Sequence, residues 1–174
     1  MKYREIYDEY SLLVNNYSRL RFELQSLPKG NVVKKRISNK TYHYLQYSVY
    51  GKKKTEYIRE QEVDLIKSRL LRREQLQKEV EEISTNMFRL EQAAKILDNN
   101  LSRTFYYLSQ CADMDSMPIS KREAALSFAS AITSLEGVPA QAETDNNLKA
   151  WANGEKSFAD FYIPTLQKYG VMEG

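Results

Sequence analysis

Apolar residues near the start of the chain repeat at intervals of four and three positions. Seven residues follow this alternation without a break: Ile6, Tyr10, Leu13, Tyr17, Leu20, Leu24 and Leu27. Such spacing keeps the side chains on one stripe of an α-helix and is typical of coiled-coil packing. Pro28 and Gly30 follow directly and are expected to end the helix.

A second stripe with the same alternation lies further along the chain. It consists of Leu76, Val80, Ile83, Met87, Leu90, Ala94 and Leu97. Val63, Ile66 and Leu70 belong to the same long helix, although the phase of the stripe slips between Arg69 and Arg73. The two helices are predicted to pack as an antiparallel hairpin. The slip also leaves the three upstream residues available to a partner chain, so a homodimer is an alternative.

The segment between the two helices predicts a small sheet. Two turn signals, Asn39-Lys40 and Gly51-Lys52, separate strand-forming stretches over residues 31–38, 41–50 and 54–58. The fold class is therefore mainly α with a small β meander (α+β). A helical hairpin over residues 1–110 carries a three-stranded antiparallel meander at 28–60.

Alternation along the central strand separates its side chains onto two faces. One face is expected to carry Tyr42, Tyr44, Gln46, Ser48 and Tyr50, and the other His43, Leu45, Tyr47 and Val49. The second face is the more apolar and is expected to lie against the helices. The first would then present its tyrosines to solvent.

The meander is strongly basic, whereas the end of the chain is acidic. Residues 28–60 contain nine Lys or Arg and two Glu, a net charge of +7, while the whole chain carries only +3. The last 63 residues carry five Lys or Arg and nine Asp or Glu, a net charge of −4. This division indicates two kinds of contact.

Aromatic rings among cations are typical of surfaces that stack bases and hold phosphates. The predicted nucleic-acid-binding residues are Lys34, Lys35, Arg36, Tyr42, Tyr44, Tyr50, Lys52, Lys53 and Lys54. A structural explanation remains open, because tyrosine favours strands and edge lysines discourage strand-to-strand aggregation.

The composition leaves few routes to catalysis. The chain has one cysteine, Cys111, and one histidine, His43, so zinc sites and Cys/His nucleophiles have few candidate residues. Common nucleotide-binding and metalloprotease motifs do not occur. We therefore expect a non-enzyme, with no catalytic residue, metal site or cofactor. No apolar run approaches the ~18 residues that a membrane span needs, and we expect a cytoplasmic protein.

The C-terminal third predicts a separate module of three helices. A break at 111–118 is expected to divide it, as residues 119–174, from the hairpin. Its first helix should bury an apolar face, and its later helices carry the aromatic residues. That face comprises Ala124, Ala125, Phe128, Ala131, Ile132 and Leu135, and the later residues are Trp151, Phe158, Phe161, Tyr162 and Tyr169.

The stretch AALSFASAITSLEGVPAQAETDNNLKAWANGEKSFADFYIPTLQKYG resembles the small helical antitoxins of the VbhA type, which pair with Fic-domain toxins. The similarity lies in the alanine-rich helix, Leu135-Glu136-Gly137, Gly154-Glu155 and the apolar last helix. It implies partner binding by Glu136, Gly137, Gly154 and Glu155. In that family the glutamate enters the toxin's nucleotide site, pairs with an arginine and obstructs the γ-phosphate of ATP.

Two observations keep an alternative open for this motif. Ile132 stands where the family has Ser or Thr, and the helix end alone can explain Glu136 and Gly137, as an exposed glutamate and a helix C-cap.

Residues 28–60 also resemble a basic strand insert of bacterial mobile-element proteins.

Together these features lead to two functional hypotheses. The first is a non-enzymatic, antitoxin-like inhibitor from a phage or plasmid. It would block a bacterial enzyme, either a Fic-like toxin or a Cas-type nuclease, the latter as an anti-CRISPR protein. The second is an RNA- or DNA-binding module that uses the meander. A metal-dependent nuclease is a third class, which no acidic cluster supports.

Overall fold

The computed structural model describes residues 3–136 and 141–172. Within them the chain forms α1 (Arg4–Ser26), β1 (Asn31–Ile37), β2 (Lys40–Val49), β3 (Lys52–Ile58), a 3-10 turn (Glu60–Glu62), α2 (Val63–Leu97), α3 (Asn99–Asp115), α4 (Ile119–Glu136), α5 (Ala142–Ala152) and α6 (Ala159–Lys168). The predicted fold class, mainly α with one small antiparallel sheet, is confirmed. None of the described helices is long and apolar enough to cross a membrane.

The sheet is a meander in the order β1-β2-β3. Both turns lie one residue earlier than predicted, because β2 begins at Lys40 and β3 at Lys52. The turn residues are Ser38 and Asn39 in the first hairpin, with φ of 47° and 63°, and Tyr50 and Gly51 in the second, with φ of 49° and 75°. Two-residue hairpin turns of this kind need positive φ at both positions, which explains the shift.

Contacts divide the chain into two compact units that do not follow the order of the sequence. The meander unit is Glu23–Glu79, and the helical unit combines Met1–Phe22 with Val80–Gly174. The expected division into residues 1–110 and 119–174 differs from this, because α6 packs on α3 and both belong to the helical unit.

The two apolar stripes meet in the core of the helical unit. Its buried residues are Tyr10, Val14, Met87, Ala94, Leu101, Phe105, Leu108 and Ala112. The rings of Tyr10 and Phe105 stack with centroids 3.8 Å apart and planes 6° from parallel. The Tyr10 hydroxyl donates to Glu91 Oε1 at 2.6 Å and to the Phe105 carbonyl at 3.2 Å. Burial, and then the neighbouring Glu91 carboxylate, raise the pKa of Tyr10 far above its usual value.

A third helix completes this core, and the sequence pattern did not separate it from α2. Asp98 begins it, because its carboxylate accepts hydrogen bonds from the Asn100 and Leu101 amides at 2.8 and 3.0 Å, as an N-cap does. The helix continues through Asp115. The predicted break at 111–118 is therefore confined to residues 116–118, and Cys111 is a buried core residue.

Arginines explain why the apolar stripe slips in the meander unit. Arg73 donates to the carbonyls of Leu24 and Leu27 at 2.6 and 3.1 Å, and Arg69 donates to the Ser26 carbonyl at 3.1 Å. Carbonyls at the end of α1 have no partner within the helix, and cations are favourable there. At this point the chain therefore has arginines that cap the carbonyls of α1 in place of apolar residues.

Close packing in the meander unit also bears on the homodimer alternative. Val63, one of the residues expected to be available to a partner chain, is only 5% exposed within this unit. Ile66 and Leu70 are half-buried. Val63 therefore already serves the fold of a single chain.

Candidate nucleic-acid interface

Strand register gathers three tyrosines on one face of the meander. Tyr44 pairs with Val33 on one side and with Tyr57 on the other, and Tyr42 pairs with Lys35. Directly paired residues lie on the same face of a sheet. We call this surface the tyrosine face. Its members are Asn31, Val33, Lys35, Ile37, Lys40, Tyr42, Tyr44, Gln46, Ser48, Lys53, Thr55 and Tyr57.

The rings on this face contact one another. The Tyr44 and Tyr57 centroids are 5.8 Å apart with planes at 69°, and those of Tyr42 and Tyr57 are 6.3 Å apart at 59°. Lys35 Nζ lies 5.0 Å from the centre of the Tyr44 ring, a cation-π contact. Tyr57 is 58% exposed. The face therefore combines an aromatic cluster with a cation that touches it.

Charge on the tyrosine face has one sign. Its ionisable members at neutral pH are Lys35, Lys40 and Lys53, and all three are exposed. None of its twelve members, all among the described residues, is acidic. An anionic ligand would meet no opposing carboxylate on this surface.

The opposite face holds most of the other predicted residues. This face includes partly buried residues of β2, and its exposed members include Lys34, Arg36, Lys52 and Lys54. His43 on this face is 7% exposed, and its Nδ1 lies 3.1 Å from Glu60 Oε2.

The structure divides the nine predicted residues between the two faces of the sheet and the second turn. The Tyr47 hydroxyl donates to Glu56, and Tyr50 lies in the turn, fully exposed. Only Lys35, Tyr42, Tyr44 and Lys53 share the tyrosine face.

Tyr57 belongs to the site and is absent from the predicted set. The position of the second turn could have predicted its place in the site. Once Tyr50 and Gly51 are assigned as the turn, counting along β2 and β3 places Tyr57 opposite Tyr44.

The other predicted site lies in the helical unit, and its described residues have structural roles. Gly154 has φ of 78°, its amide donates to the Trp151 carbonyl, and the Glu155 amide donates to the Ala150 carbonyl, both at 2.9 Å. These two bonds form the glycine C-cap known as a Schellman motif. Glu155 is exposed. Glu136 is the last residue of α4, but its side chain and Gly137 lie outside the described residues.

Gly154→Ala is expected to lower the free energy of unfolding of the helical unit by about 2–3 kcal/mol. A Cβ there would lie 2.9 Å from Ile119 Cδ1, in addition to the backbone strain. Gly170→Ala is the matched control, because Gly170 has φ of 68° with nothing within 4 Å of the added Cβ. Urea denaturation monitored by Trp151 fluorescence measures both, and equal losses would contradict the steric role of Ile119.

A buried arginine at the start of α4 forms a hydrogen bond with α5. Arg122 is 6% exposed, and its guanidinium donates to the carbonyls of Met117 at 3.0 Å and Trp151 at 3.1 Å, and to that of Asp115. The Asp115 carboxylate accepts from Trp151 Nε1 at 3.1 Å and from the Phe158 amide at 2.7 Å. Burial raises the pKa of Asp115 above its usual value, although these hydrogen bonds and the Arg122 charge act in the opposite direction.

Asp115→Asn is expected to flatten part of the pH dependence of stability. The folded protein holds the Asp115 proton more tightly than the unfolded chain, so the contribution of Asp115 to stability should fall as pH rises from the ordinary pKa of 3.8 towards the raised value. Urea midpoints across this range would measure the effect. Glu123→Gln, at an exposed carboxylate of α4, controls for the loss of one charge. A wild-type slope retained in Asp115→Asn would contradict the assignment.

The predicted apolar face of α4 is exposed within the part of the chain that the structure describes. Phe128, Ile132 and Leu135 are 69%, 38% and 88% exposed, respectively. Ala124, Ala125 and Ala131 are exposed as well. Its pattern therefore marks a helix face that the described residues do not bury.

A family model matches the N-terminal part of the chain. Residues 3–68 match the family model described as "Domain of unknown function (DUF6788)". The match includes α1, all three strands and the first residues of α2. Neither the curated proteins nor the solved structures contain a match to this chain. The tyrosine face thus lies entirely within the segment similar to this family.

Proposed function

We propose that this protein is a non-enzymatic binding protein whose meander binds nucleic acid through the tyrosine face. The observation that carries the proposal is the cluster of Tyr42, Tyr44 and Tyr57 on a surface whose only charges are lysines. Bases stack on aromatic side chains with about 1–3 kcal/mol per base, and lysines neutralise phosphates. RNA and DNA share both features.

The distribution of charge between the two faces provides the test. Lys35→Ala with Lys53→Ala removes two charges from the tyrosine face. Lys34→Ala with Lys54→Ala removes the same charge from the opposite face. We expect the first pair to weaken binding of a labelled 12-nucleotide strand by about ten-fold at low salt and to reduce the salt slope by about 1.4.

The matched pair should retain most of the affinity, since its lysines lie away from the rings. Fluorescence anisotropy over a series of salt concentrations measures both quantities. Equal losses from the two pairs would indicate a diffuse electrostatic attraction and contradict a site on the tyrosine face.

A second candidate function is inhibition of a bacterial enzyme, Fic-like or Cas-like, by the C-terminal module. The exposed apolar face of α4 favours it, because large apolar side chains exposed together are typical of protein-binding surfaces. The resemblance to VbhA-type antitoxins includes the same helix.

The test is retention of an enzyme from nuclease-treated bacterial lysate, followed by an activity assay. The intact chain should retain one enzyme and inhibit it, and Phe128→Asp should do neither. Lys121→Asp, on the same helix but outside the apolar face, should behave as wild type. Loss of retention after nuclease treatment would contradict inhibition and favour the nucleic-acid interface.

A further inference from the structure

A polar row lies next to the tyrosine rings. Gln46 pairs with Asn31 on β1 and with Thr55 on β3, so these side chains form one row across the tyrosine face. The adjacent row contains Tyr44 and Tyr57. Same-face rows in a sheet are two residues apart, or about 6.7 Å. Two amides and one hydroxyl therefore border the aromatic cluster.

Lys35 and Gln46 belong to rows on opposite sides of Tyr44. Lys35 belongs to the Tyr42 row, on the side of Tyr44 away from Gln46, and its ammonium group contacts the Tyr44 ring. Gln46 lies on the other side, where a stacked base has a polar neighbour.

We propose that Gln46, assisted by Thr55, reads the edge of a base stacked on Tyr44, and that the ligand is a single strand. This inference rests on the proposed function. A glutamine amide has two N–H donors and one acceptor oxygen, and it can pair with adenine by accepting from N6 and donating to N7. Gln46 is half-buried and Thr55 exposed, so both can be reached from solvent.

The arrangement of the rings selects a single strand over a duplex. Tyr44 lies on the central strand of the sheet, and its partner Tyr57 lies on β3. To stack on them a base must present its flat face, which neighbouring base pairs cover in a duplex. Single-stranded nucleic acid exposes both the face and the edge of the same base.

The experiment compares labelled 12-nucleotide strands by fluorescence anisotropy with the intact chain. The strands are oligo-A and oligo-pyrimidine, each as DNA and as RNA, together with the corresponding A·T duplex. Gln46→Ala removes the amide, and Thr55→Val removes the hydroxyl with little change in shape. Ser48→Ala is the matched control, because Ser48 is the next residue of β2 on the same face. Circular dichroism checks that each variant keeps its fold.

We expect wild type to bind oligo-A more tightly than oligo-pyrimidine, and single strands more tightly than the duplex. Gln46→Ala should reduce the adenine preference by about five-fold or more while binding to oligo-pyrimidine persists. Thr55→Val should reduce it less, and Ser48→Ala should leave it unchanged.

Three results would overturn the inference alone: equal binding of oligo-A and oligo-pyrimidine, equal binding of duplex and single strand, or an unchanged preference in Gln46→Ala. Wild type that binds none of these nucleic acids at low salt would overturn the proposed function as well.

Discussion

Replacing Tyr44 and Tyr57 together with alanine is expected to weaken single-strand binding by on the order of 100-fold. The two rings contact each other at 5.8 Å, and each provides a surface on which a base can stack. Their removal leaves the lysines in place, so the remaining affinity should be electrostatic and steeply dependent on salt. Anisotropy titration of a labelled 12-nucleotide strand measures the loss.

Two further variants make this result specific. Changing both tyrosines to phenylalanine should retain most of the affinity, because the rings remain. Tyr106→Ala, at a 58% exposed tyrosine of the helical unit, should bind as wild type. If the double alanine variant keeps its fold and its affinity, aromatic stacking is not the basis of binding.

Phe105→Ala is expected to lower the free energy of unfolding of the helical unit by about 3–5 kcal/mol. Phe105 is 0% exposed and stacks on Tyr10 at 3.8 Å, so alanine would leave a cavity beside that ring. Trp151 is the chain's one tryptophan and belongs to the helical unit, so its fluorescence reports this transition. Urea denaturation of wild type and variant gives the difference.

The neighbouring residue supplies the control. Tyr106 lies on the same helix and is exposed, so Tyr106→Ala should cost less than about 1 kcal/mol. Similar losses for the two substitutions would contradict the placement of Phe105 in the core.

The apolar sides of α1 and α2 could be predicted, because spacing directly determines which side of a helix a residue occupies. The stripes containing Tyr10 and Met87 share one core, as the alternation of four and three indicated. The start of α3 was harder to predict, because Asp98 interrupts an otherwise continuous helical pattern through a capping hydrogen bond.

The candidate interface could be predicted only in part, because a net charge does not assign residues to faces. The positive charge indicated the meander as an interface, but strand pairing decides that Lys35 joins the tyrosines while Lys34 faces the other way. Turn geometry shifted Tyr50 out of its strand, and the register brought in Tyr57. Both follow from positive φ at two turn positions, which composition does not reveal.

The C-terminal module shows a different limit of sequence patterns. Periodicity identified the apolar residues of α4, including Phe128, but it does not say what covers them. Gly154 likewise entered the predicted partner site through a family resemblance, whereas its φ and its proximity to Ile119 give it a role in the fold.

The most direct test of the account is a titration of a labelled 12-nucleotide single strand with the intact chain over a range of salt concentrations. The tyrosine face offers three lysines, so binding is predicted at low salt, with log K falling linearly against log salt at a slope of about −2. Absence of binding at the lowest salt would contradict a nucleic-acid interface on the meander. An affinity that stays the same from about 50 to 200 mM salt would contradict it equally.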